Sequence, residues 1–366
     1  MRNRQLYRSG IIALLLPLLV AAEAQEVASR EGANLQRPSW SADGGKLAYE
    51  ANFHDDKRIE LYVGDPVGGT FRRVTPNVRS TSSITEGFSR LGNGGEVAHE
   101  LCWAPPPYDR FAYSAADESQ DYEIFLGGGG PLTDVPGADG GPAWSPDGRF
   151  IAFTSSRTGE GDLYLLDMGH HDQPPRRVTS FMDSSELYVA WSPDSTQLAF
   201  VGHSDSGDNV WLIPSLGDDP VQLTNWTGNQ TRPTFSPKGE WIAFYANLED
   251  MDRLDLYLVE PRVGAVPRLL TRAVVPNAGG PSWTPDGRHL VLVLDDDQRF
   301  DPLAVLEARP GAEPKIIDLG TVGHGDLDVV EGPEGTLRLA YVAQGRGRDD
   351  IRDYKRLFVS QLPPIQ

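Results

Sequence analysis

One pattern of apolar and polar positions recurs along most of the chain. A small or polar lead-in precedes an aromatic residue, a Ser-Pro-Asp-Gly segment, and then an apolar residue, an alanine and another aromatic residue; residues 142–153 hold the clearest copy. Such repeats at a fixed period are typical of repeat architectures. We number the copies as units 1 to 7, and they begin in order at Trp40, Trp103, Trp144, Trp191, Phe235, Trp283 and Asp326, the last without a tryptophan.

Each unit predicts four short strands, which we call A to D. In the Ser-Pro-Asp-Gly segment proline fixes φ, aspartate can bond the local backbone and glycine closes a type I turn, so the segment joins strands A and B as a hairpin. Strand B, such as residues 150–154, is rich in aromatic and β-branched residues and has a small central residue that allows close packing. Strand C is rich in Leu and Tyr, as in residues 162–167, and strand D ends in threonine, as at Thr179.

The spacing of the units predicts a ring. The central small residues of strand B are Ala48, Ala112, Ala152, Ala199, Ala243, Val291 and Ala340, with spacings of 64, 40, 47, 44, 48 and 49 residues. A four-stranded propeller blade takes about 40–50 residues. We therefore expect an all-β fold, a seven-bladed β-propeller of four-stranded blades, with six blades and an appended seventh unit as the alternative. Unit 7 lacks a strand D, and residues 26–36 are expected to supply it, because an unpaired sheet edge is usually avoided.

The first 24 residues predict export. Arg2, Arg4 and Arg8 precede an apolar run at residues 11–20, and Ala22-Glu23-Ala24 is a small-x-small cleavage site, as in a secretory signal peptide. We expect a signal peptide at 1–24, a single propeller domain at 25–366 and a periplasmic location. No stretch reaches the roughly 20 apolar residues of a membrane-spanning helix. Cys102 is the only cysteine, which excludes an internal disulfide.

Acidic residues outnumber basic ones and concentrate in one set of loops. Loss of the leader leaves 30 basic and 51 acidic residues, a net charge of −21 that disfavours nucleic acid. The predicted B-to-C loops share one face of a propeller and carry −12 of this charge. We hypothesise that this face binds a cationic partner, while the alternative is that these carboxylates only cap turns and keep the surface soluble. The candidate binding residues in these loops are Asp117, Glu118, Asp205, Glu249, Asp250, Asp252, Asp296 and Asp297.

Two further features predict contacts on that face. Residues 76–101 form a D-to-A connection about 18 residues longer than in the other units, and a loop of this length is usually functional or disordered. It carries Phe88, a candidate binding residue. Trp226, in another D-to-A loop, is either an exposed aromatic contact or part of the core.

The Trp-Ser-Pro-Asp-Gly-x-x-Ile-Ala-Phe unit resembles the WD-like repeat of the TolB propeller, which also occurs in prolyl-peptidase propellers and oligogalacturonate lyases. The resemblance implies an interaction scaffold, TolB-like, that binds an envelope protein or lipoprotein with a basic contact surface. We expect a binding role and not an enzymatic one. We also expect the protein to be a monomer that needs no cofactor. The alternative is a metal-assisted lyase or hydrolase acting on polysaccharide fragments, as in oligogalacturonate lyases, which hold a metal through histidines. His54, His99, His203 and His324 all fall in loops of the same face, but none shows a metal-ligand spacing.

Overall fold

A computed structural model gives the architecture of most of the chain. The structure describes residues 19–20, 24–53, 58–75, 101–116, 121–159, 161–180, 185–204, 207–215, 217, 219–248, 253–277, 279–295, 301–345, 354–362 and 365. These residues confirm an all-β fold, because the one helical element among them is a single 3-10 turn at Pro333–Gly335. Within the described ranges no helix has the length and apolar character needed to cross a membrane.

The strands are short and follow the repeat. In the first half they are β1 (Leu19–Val20), β2 (Gln25–Ala28), β3 (Ala33–Trp40), β4 (Leu47–Phe53), β5 (Arg58–Asp65), β6 (Thr70–Arg73), β7 (Leu101–Trp103), β8 (Phe111–Ala116), β9 (Tyr122–Leu126), β10 (Asp139–Trp144), β11 (Phe150–Ser155), β12 (Asp162–Asp167), β13 (Arg176–Arg177) and β14 (Ser185–Trp191). In the second half they are β15 (Gln197–Ser204), β16 (Gly207–Pro214), β17 (Val221–Gln222), β18 (Gln230–Phe235), β19 (Ile242–Ala246), β20 (Leu254–Val259), β21 (Arg268–Val275), β22 (Ser282–Trp283), β23 (His289–Leu294), β24 (Leu303–Glu307), β25 (Lys315–Asp318), β26 (Thr321–Val322), β27 (Leu327–Glu331), β28 (Leu337–Gly345) and β29 (Arg356–Leu362).

Strands pair antiparallel with their neighbours inside each unit. The sheets run β3-β4-β5-β6 in unit 1, β7-β8-β9 in unit 2, β10 to β13 in unit 3, β14 to β17 in unit 4, β18 to β21 in unit 5, β22 to β25 in unit 6 and β27-β28-β29 in unit 7. In unit 2 the position of strand D is reduced to one isolated bridge between Phe125 and Pro131. Four pairings lie outside this scheme, namely β2 with β29, β21 with β23, β26 with β28, and the parallel pair β1 and β25.

The first and last parts of the chain meet in one sheet. β2 pairs antiparallel with β29, and Gln25 lies opposite Val359. The outer strand of unit 7 is therefore Gln25–Ala28, shorter than the predicted range 26–36. The remainder of that range belongs elsewhere, because Ala33–Trp40 form strand A of unit 1 and pair with β4.

The Ser-Pro-Asp-Gly turns close as their chemistry predicts. In unit 3 the Ser145 hydroxyl donates to Asp147 Oδ1 at 2.6 Å, and the same oxygen accepts from the backbone N–H of Arg149 at 3.0 Å. The Gly148 N–H donates to the Ser145 carbonyl at 2.9 Å, and Gly148 has a φ of +75° that favours glycine. The turn thus satisfies its own polar groups, which fixes the hairpin register of β10 and β11.

The core lies where strand B of each unit is covered by its neighbours. All the central small residues named above are buried, with Ala112, Ala152, Ala199, Ala243 and Ala340 each 0% exposed. Tryptophans at the ends of strand A bridge adjacent units, since Trp191 Nε1 donates to the Ala143 carbonyl at 2.9 Å and its ring stacks on Phe150. Apolar burial of this kind stabilises by about 25 cal/mol per Å².

The threonine at the end of strand D ties neighbouring units together. The Thr179 hydroxyl accepts from the Leu163 N–H at 2.8 Å and donates to Glu186 Oε2, in the next unit, at 2.7 Å. Thr224 makes the matching bonds, to the Val210 N–H at 2.8 Å and to Gln230 at 3.1 Å. The repeated threonine is therefore explained by its donor and acceptor capacity, because it satisfies buried groups of two units at once.

Candidate binding site between the first strands

Strand A residues from all seven units line one cavity of about 370 Å³. The wall includes Arg37 to Ser39, Leu101, Gly141 and Pro142, Tyr188 to Ala190, Arg232 to Thr234, Gly279 to Trp283, and Leu327 and Asp328. Glu50 of β4 and Asn277 also contribute. A cavity formed by the same strand of successive repeats is the place where a propeller can hold a ligand, because side chains from every unit converge there.

A bulge in strand A presents the wall residues. The register of β3 against β4 shifts between Gln36 and Ser39, and the corresponding shifts occur in β10, β14 and β18. At each shift one residue has a positive φ: Arg37 at 51°, Gly141 at 62°, Tyr188 at 55° and Arg232 at 55°. Left-handed backbone costs a residue with a side chain about 1 kcal/mol or more. Such strain in three non-glycine residues around one cavity favours a functional role for them.

The wall carries charges of both signs. The Arg232 guanidinium lies over the Tyr188 ring, 4.6 Å from its centre. Arg37 Nε lies 3.8 Å from Glu50 Oε2, and the backbone N–H of Arg37 donates to Asp326 Oδ2 at 3.0 Å. The Arg232–Tyr188 pair supplies a planar cation, and Arg37 a second one.

Two carboxyl groups, of Glu50 and Asp328, line the same cavity. Glu50 is 1% exposed, accepts from Gln36 Nε2 at 3.0 Å through Oε2, and its Oε1 has no hydrogen-bond partner. Burial raises the pKa of Asp328 to about 6, although it accepts from the Trp40 N–H at 2.7 Å and from the Val329 N–H at 2.8 Å. The wall therefore offers both donors and acceptors to a bound group.

Most residues predicted as binding residues lie outside the described part of the chain. These are Phe88, Asp117, Glu118, Asp205, Glu249, Asp250, Asp252, Asp296 and Asp297. Trp226 is described and is half-buried: its ring lies 5.1 Å from Tyr257 and 6.0 Å from Phe244, measured between centres. The backbone N–H of Trp226 donates to Asn209 Oδ1 at 3.0 Å. Trp226 thus packs against the core of unit 5.

Of the four loop histidines, two fall in the described residues. Both ring nitrogens of His324 are engaged, with Nε2 2.9 Å from Thr321 Oγ1 and Nδ1 2.7 Å from the Asp301 carbonyl. His203 Nδ1 bonds to Asp208. His54 and His99 lie outside the described residues, and the described residues hold no group of three His, Cys, Asp or Glu side chains arranged for a metal.

Sequence reasoning did not identify Arg37, Tyr188 and Arg232. Their signal is a position in the repeat, three residues before the aromatic of strand A, at Trp40, Trp191 and Phe235. In units 3 and 6 glycine occupies this position, at Gly141 and Gly280. Residues with long side chains at a place where other copies have glycine mark the wall of the cavity.

Searches against known proteins connect the chain with propellers. No protein-family model matches it. A Tol-Pal system protein TolB of Bordetella pertussis is 29% identical over 150 residues, 40% of this chain and 30% of that protein. An uncharacterized protein of Agrobacterium fabrum is 30% identical over 155 residues, 41% of this chain and 48% of that protein. The chain thus spans less than half the length of either relative.

Solved structures establish the fold. The β-propeller domain of Cps50 from Myceliophteria thermophila superposes with a TM-score of 0.59 at 10% identity, over 93% of this chain and 99% of that one. An oligogalacturonate lyase in complex with manganese superposes with a TM-score of 0.59 at 12% identity, over 94% of this chain and 96% of that one. A puromycin-hydrolyzing peptidase of Mycobacterium tuberculosis superposes with a TM-score of 0.64 at 13% identity, over 90% of this chain and 53% of that one. The chain folds as a β-propeller, and its sequence is similar to TolB over part of its length.

Proposed function

We propose that the protein is an exported, seven-bladed, TolB-like propeller that acts as an interaction scaffold in the cell envelope and binds a protein partner. The observation that carries this proposal is the shared cavity, to which strand A of every unit contributes a wall segment. The similarity to TolB supports an envelope role, and the predicted leader supports a periplasmic location. The pairing of β2 with β29 supports closure of unit 7 as a blade.

An extended peptide segment suits the wall of this cavity. A peptide main chain offers N–H donors and carbonyl acceptors in alternation, and the wall offers carboxylates such as Glu50 together with the guanidinium groups of Arg37 and Arg232. The acidic B-to-C loops attract a segment with basic residues and accelerate its association. The partner is therefore a protein with a basic, extended contact segment, and the scaffold itself is a monomer.

The test is capture of the partner in the source cells. The chain, tagged at Gln366, is crosslinked in intact cells and the captured proteins are identified by mass spectrometry. The double variant Tyr188→Ala with Arg232→Ala should lose capture of the specific partner, because it removes the stacked cation from the wall. Arg149→Ala is the matched control, since Arg149 also lies 4.6 Å over a ring, that of Phe150, but on an exposed turn.

Further variants separate the loops from the cavity. Reversal of charge at Asp250, Asp252, Asp296 and Asp297 should slow association and weaken its dependence on salt. If capture survives both the cavity variant and the loop variant, the proposal is wrong. Light scattering of the purified chain measures its molar mass and tests whether it is a monomer.

A second candidate is a lyase or hydrolase of polysaccharide fragments with a bound metal. The observation that favours it is the superposition on an oligogalacturonate lyase over nearly the full length of both chains. The engagement of both nitrogens of His324 weighs against it, since a metal there would displace a hydrogen bond. Metal analysis of the purified protein, followed by incubation with uronate oligosaccharides, tests this candidate. Stoichiometric metal with release of unsaturated products would replace the scaffold proposal.

A further inference from the structure

The turns between strands A and B touch their neighbours at several junctions between units. A methyl group placed on Gly239 would lie 3.5 Å from Pro193 of unit 4, and one on Gly287 would lie 3.5 Å from Pro237 of unit 5. At the junction of units 6 and 7 the contact is missing, because no atom lies within 4 Å of such a group on Gly335. The turn of unit 7 is built differently, as a 3-10 turn with Glu334 at a φ of 56°.

A tryptophan is also missing at that junction. At the junction of units 3 and 4, the Trp191 ring stacks on Phe150, the first residue of β11, with centres 6.4 Å apart. Trp191 pairs with Leu198 in strand B, and the residue paired in the same way with Leu339 of unit 7 is Val329. The first residue of β23 is His289, so its imidazole has no tryptophan of the next unit to pack against.

These two differences leave a cavity of about 360 Å³ between units 6 and 7. Its wall contains His289, the carboxylates of Asp286 and Glu331, and the apolar side chains of Leu337 and Ile365. His289 Nδ1 is buried and has no hydrogen-bond partner. Burial lowers the pKa of His289, so the ring is neutral near pH 7 and does not repel a cation.

The two carboxylates of this cavity lie at the protein surface. Among the described residues neither Asp286 nor Glu331 forms an ion pair, and both are exposed. Asp286 accepts from the Thr284 hydroxyl at 2.6 Å and from the Arg288 N–H at 3.0 Å, which fixes its orientation. The Arg288 side chain lines a different cavity, on the side of unit 5.

We propose that this cavity binds an arginine side chain of a partner protein. The guanidinium group is planar and can stack on the His289 ring in the space that a tryptophan fills at the junction of units 3 and 4. Its N–H groups can donate to the carboxylates of Asp286 and Glu331, and its methylene stem can pack on Leu337 and Ile365.

The chain already uses this arrangement in two places near the same turns. The Arg338 guanidinium lies 4.3 Å over the ring of Trp40, and the Arg149 guanidinium lies 4.6 Å over Phe150. A lysine ammonium would reach the carboxylates but could not stack, and a neutral aromatic ring would leave them without a cation. The cavity therefore selects for a group that is both planar and positively charged.

This cavity is separate from the one between the first strands, because the described residues that line the two are different. It is formed by A-to-B turns, whereas the other is formed by strand A itself. The arginine site can therefore fail its test while the scaffold proposal holds, and the reverse is also possible.

The experiment titrates three peptides into the full chain labelled with ¹⁵N in its histidines. The peptides are acetyl-Gly-Arg-Gly-amide and its lysine and citrulline counterparts, and His289 is assigned by loss of its signals in His289→Phe. We expect the arginine peptide to shift the His289 ring signals. The lysine peptide should bind about tenfold more weakly, because it cannot stack or donate in parallel. The citrulline peptide, which is planar but uncharged, should also bind about tenfold more weakly.

Variants then locate the site. Asp286→Asn with Glu331→Gln keeps the shape of the cavity and removes its charge. This double variant should bind the arginine peptide about tenfold more weakly, because two ion pairs are lost. Val329→Trp introduces the tryptophan that units 1 to 4 and unit 6 carry at this position, and should abolish the shift. Equal binding of the three peptides, no shift at millimolar concentrations, or unchanged binding in the charge-neutral variant would each overturn the proposal. The charge-neutral variant keeps the test valid if Val329→Trp does not fold.

Discussion

The bonds of Thr179 predict a large loss of stability when its hydroxyl is removed. Thr179→Val keeps the volume and shape of the side chain but leaves the buried N–H of Leu163 without its acceptor and removes a donor from Glu186. An unsatisfied buried donor costs about 1–3 kcal/mol, and a hydrogen bond to a charged group contributes about 1.5–3 kcal/mol. We expect the free energy of unfolding to fall by about 3 kcal/mol, measured by urea unfolding with tryptophan fluorescence and circular dichroism.

The chain supplies a control with the same local sequence. Thr75 also ends an Arg-Val-Thr tripeptide, but its hydroxyl lies 3.4 Å from the Leu61 N–H, a long bond with little energy. Thr75→Val should therefore lower the free energy of unfolding by about 1 kcal/mol or less. Equal losses in the two variants, or a loss below about 0.5 kcal/mol for Thr179→Val, would refute the explanation of the repeated threonine as a tie between units.

Three other predictions test the turns, the pH dependence and the core. Gly148→Ala should lower the free energy of unfolding by about 2 kcal/mol because φ is +75° and the new methyl would lie 2.9 Å from Tyr108, whereas Gly130→Ala, with no such contact, should change little; urea unfolding compares them. Burial raises the pKa of Glu123 to about 7, so stability should fall by up to roughly 3 kcal/mol as the pH rises from 4.5 to 7, and Glu123→Gln should remove its share of this slope, leaving the share of Asp328, in unfolding at several pH values. Trp226→Ala should cost about 3 kcal/mol and Trp226→Phe less, and loss of partner capture without loss of stability would instead make Trp226 an exposed contact.

The sequence predicted the structure best where the interactions of a segment lie within that segment. Ser145 to Gly148 satisfy their own hydrogen bonds, so the hairpin could be read without any neighbour. The burial of the small residue of strand B, such as Ala152, was equally predictable because this residue repeats with the period of the units. These local rules sufficed to predict an all-β repeat fold with the correct strand order inside units.

The candidate site could not be predicted in the same way. The left-handed backbone at Arg37 and Arg232 follows from a bulge that only pairing with strand B creates. The stacking of Arg232 on Tyr188 joins two units, and no local pattern encodes such a contact. Burial of Trp226 against Tyr257 likewise depends on the neighbouring unit.

The pairing of β2 with β29 has a consequence for how the molecule reaches its native state. Glu26 and Arg356, which form an ion pair in this sheet, are separated by 330 positions of the chain. Closing such a long loop is slow, because its entropy must be overcome before any contact forms. The earlier units can fold as their residues emerge from the ribosome, but this sheet cannot be completed before β29 has been released. Removal of β29 would leave β2 without its partner and would open one edge of β28, which would keep β27 on its other edge.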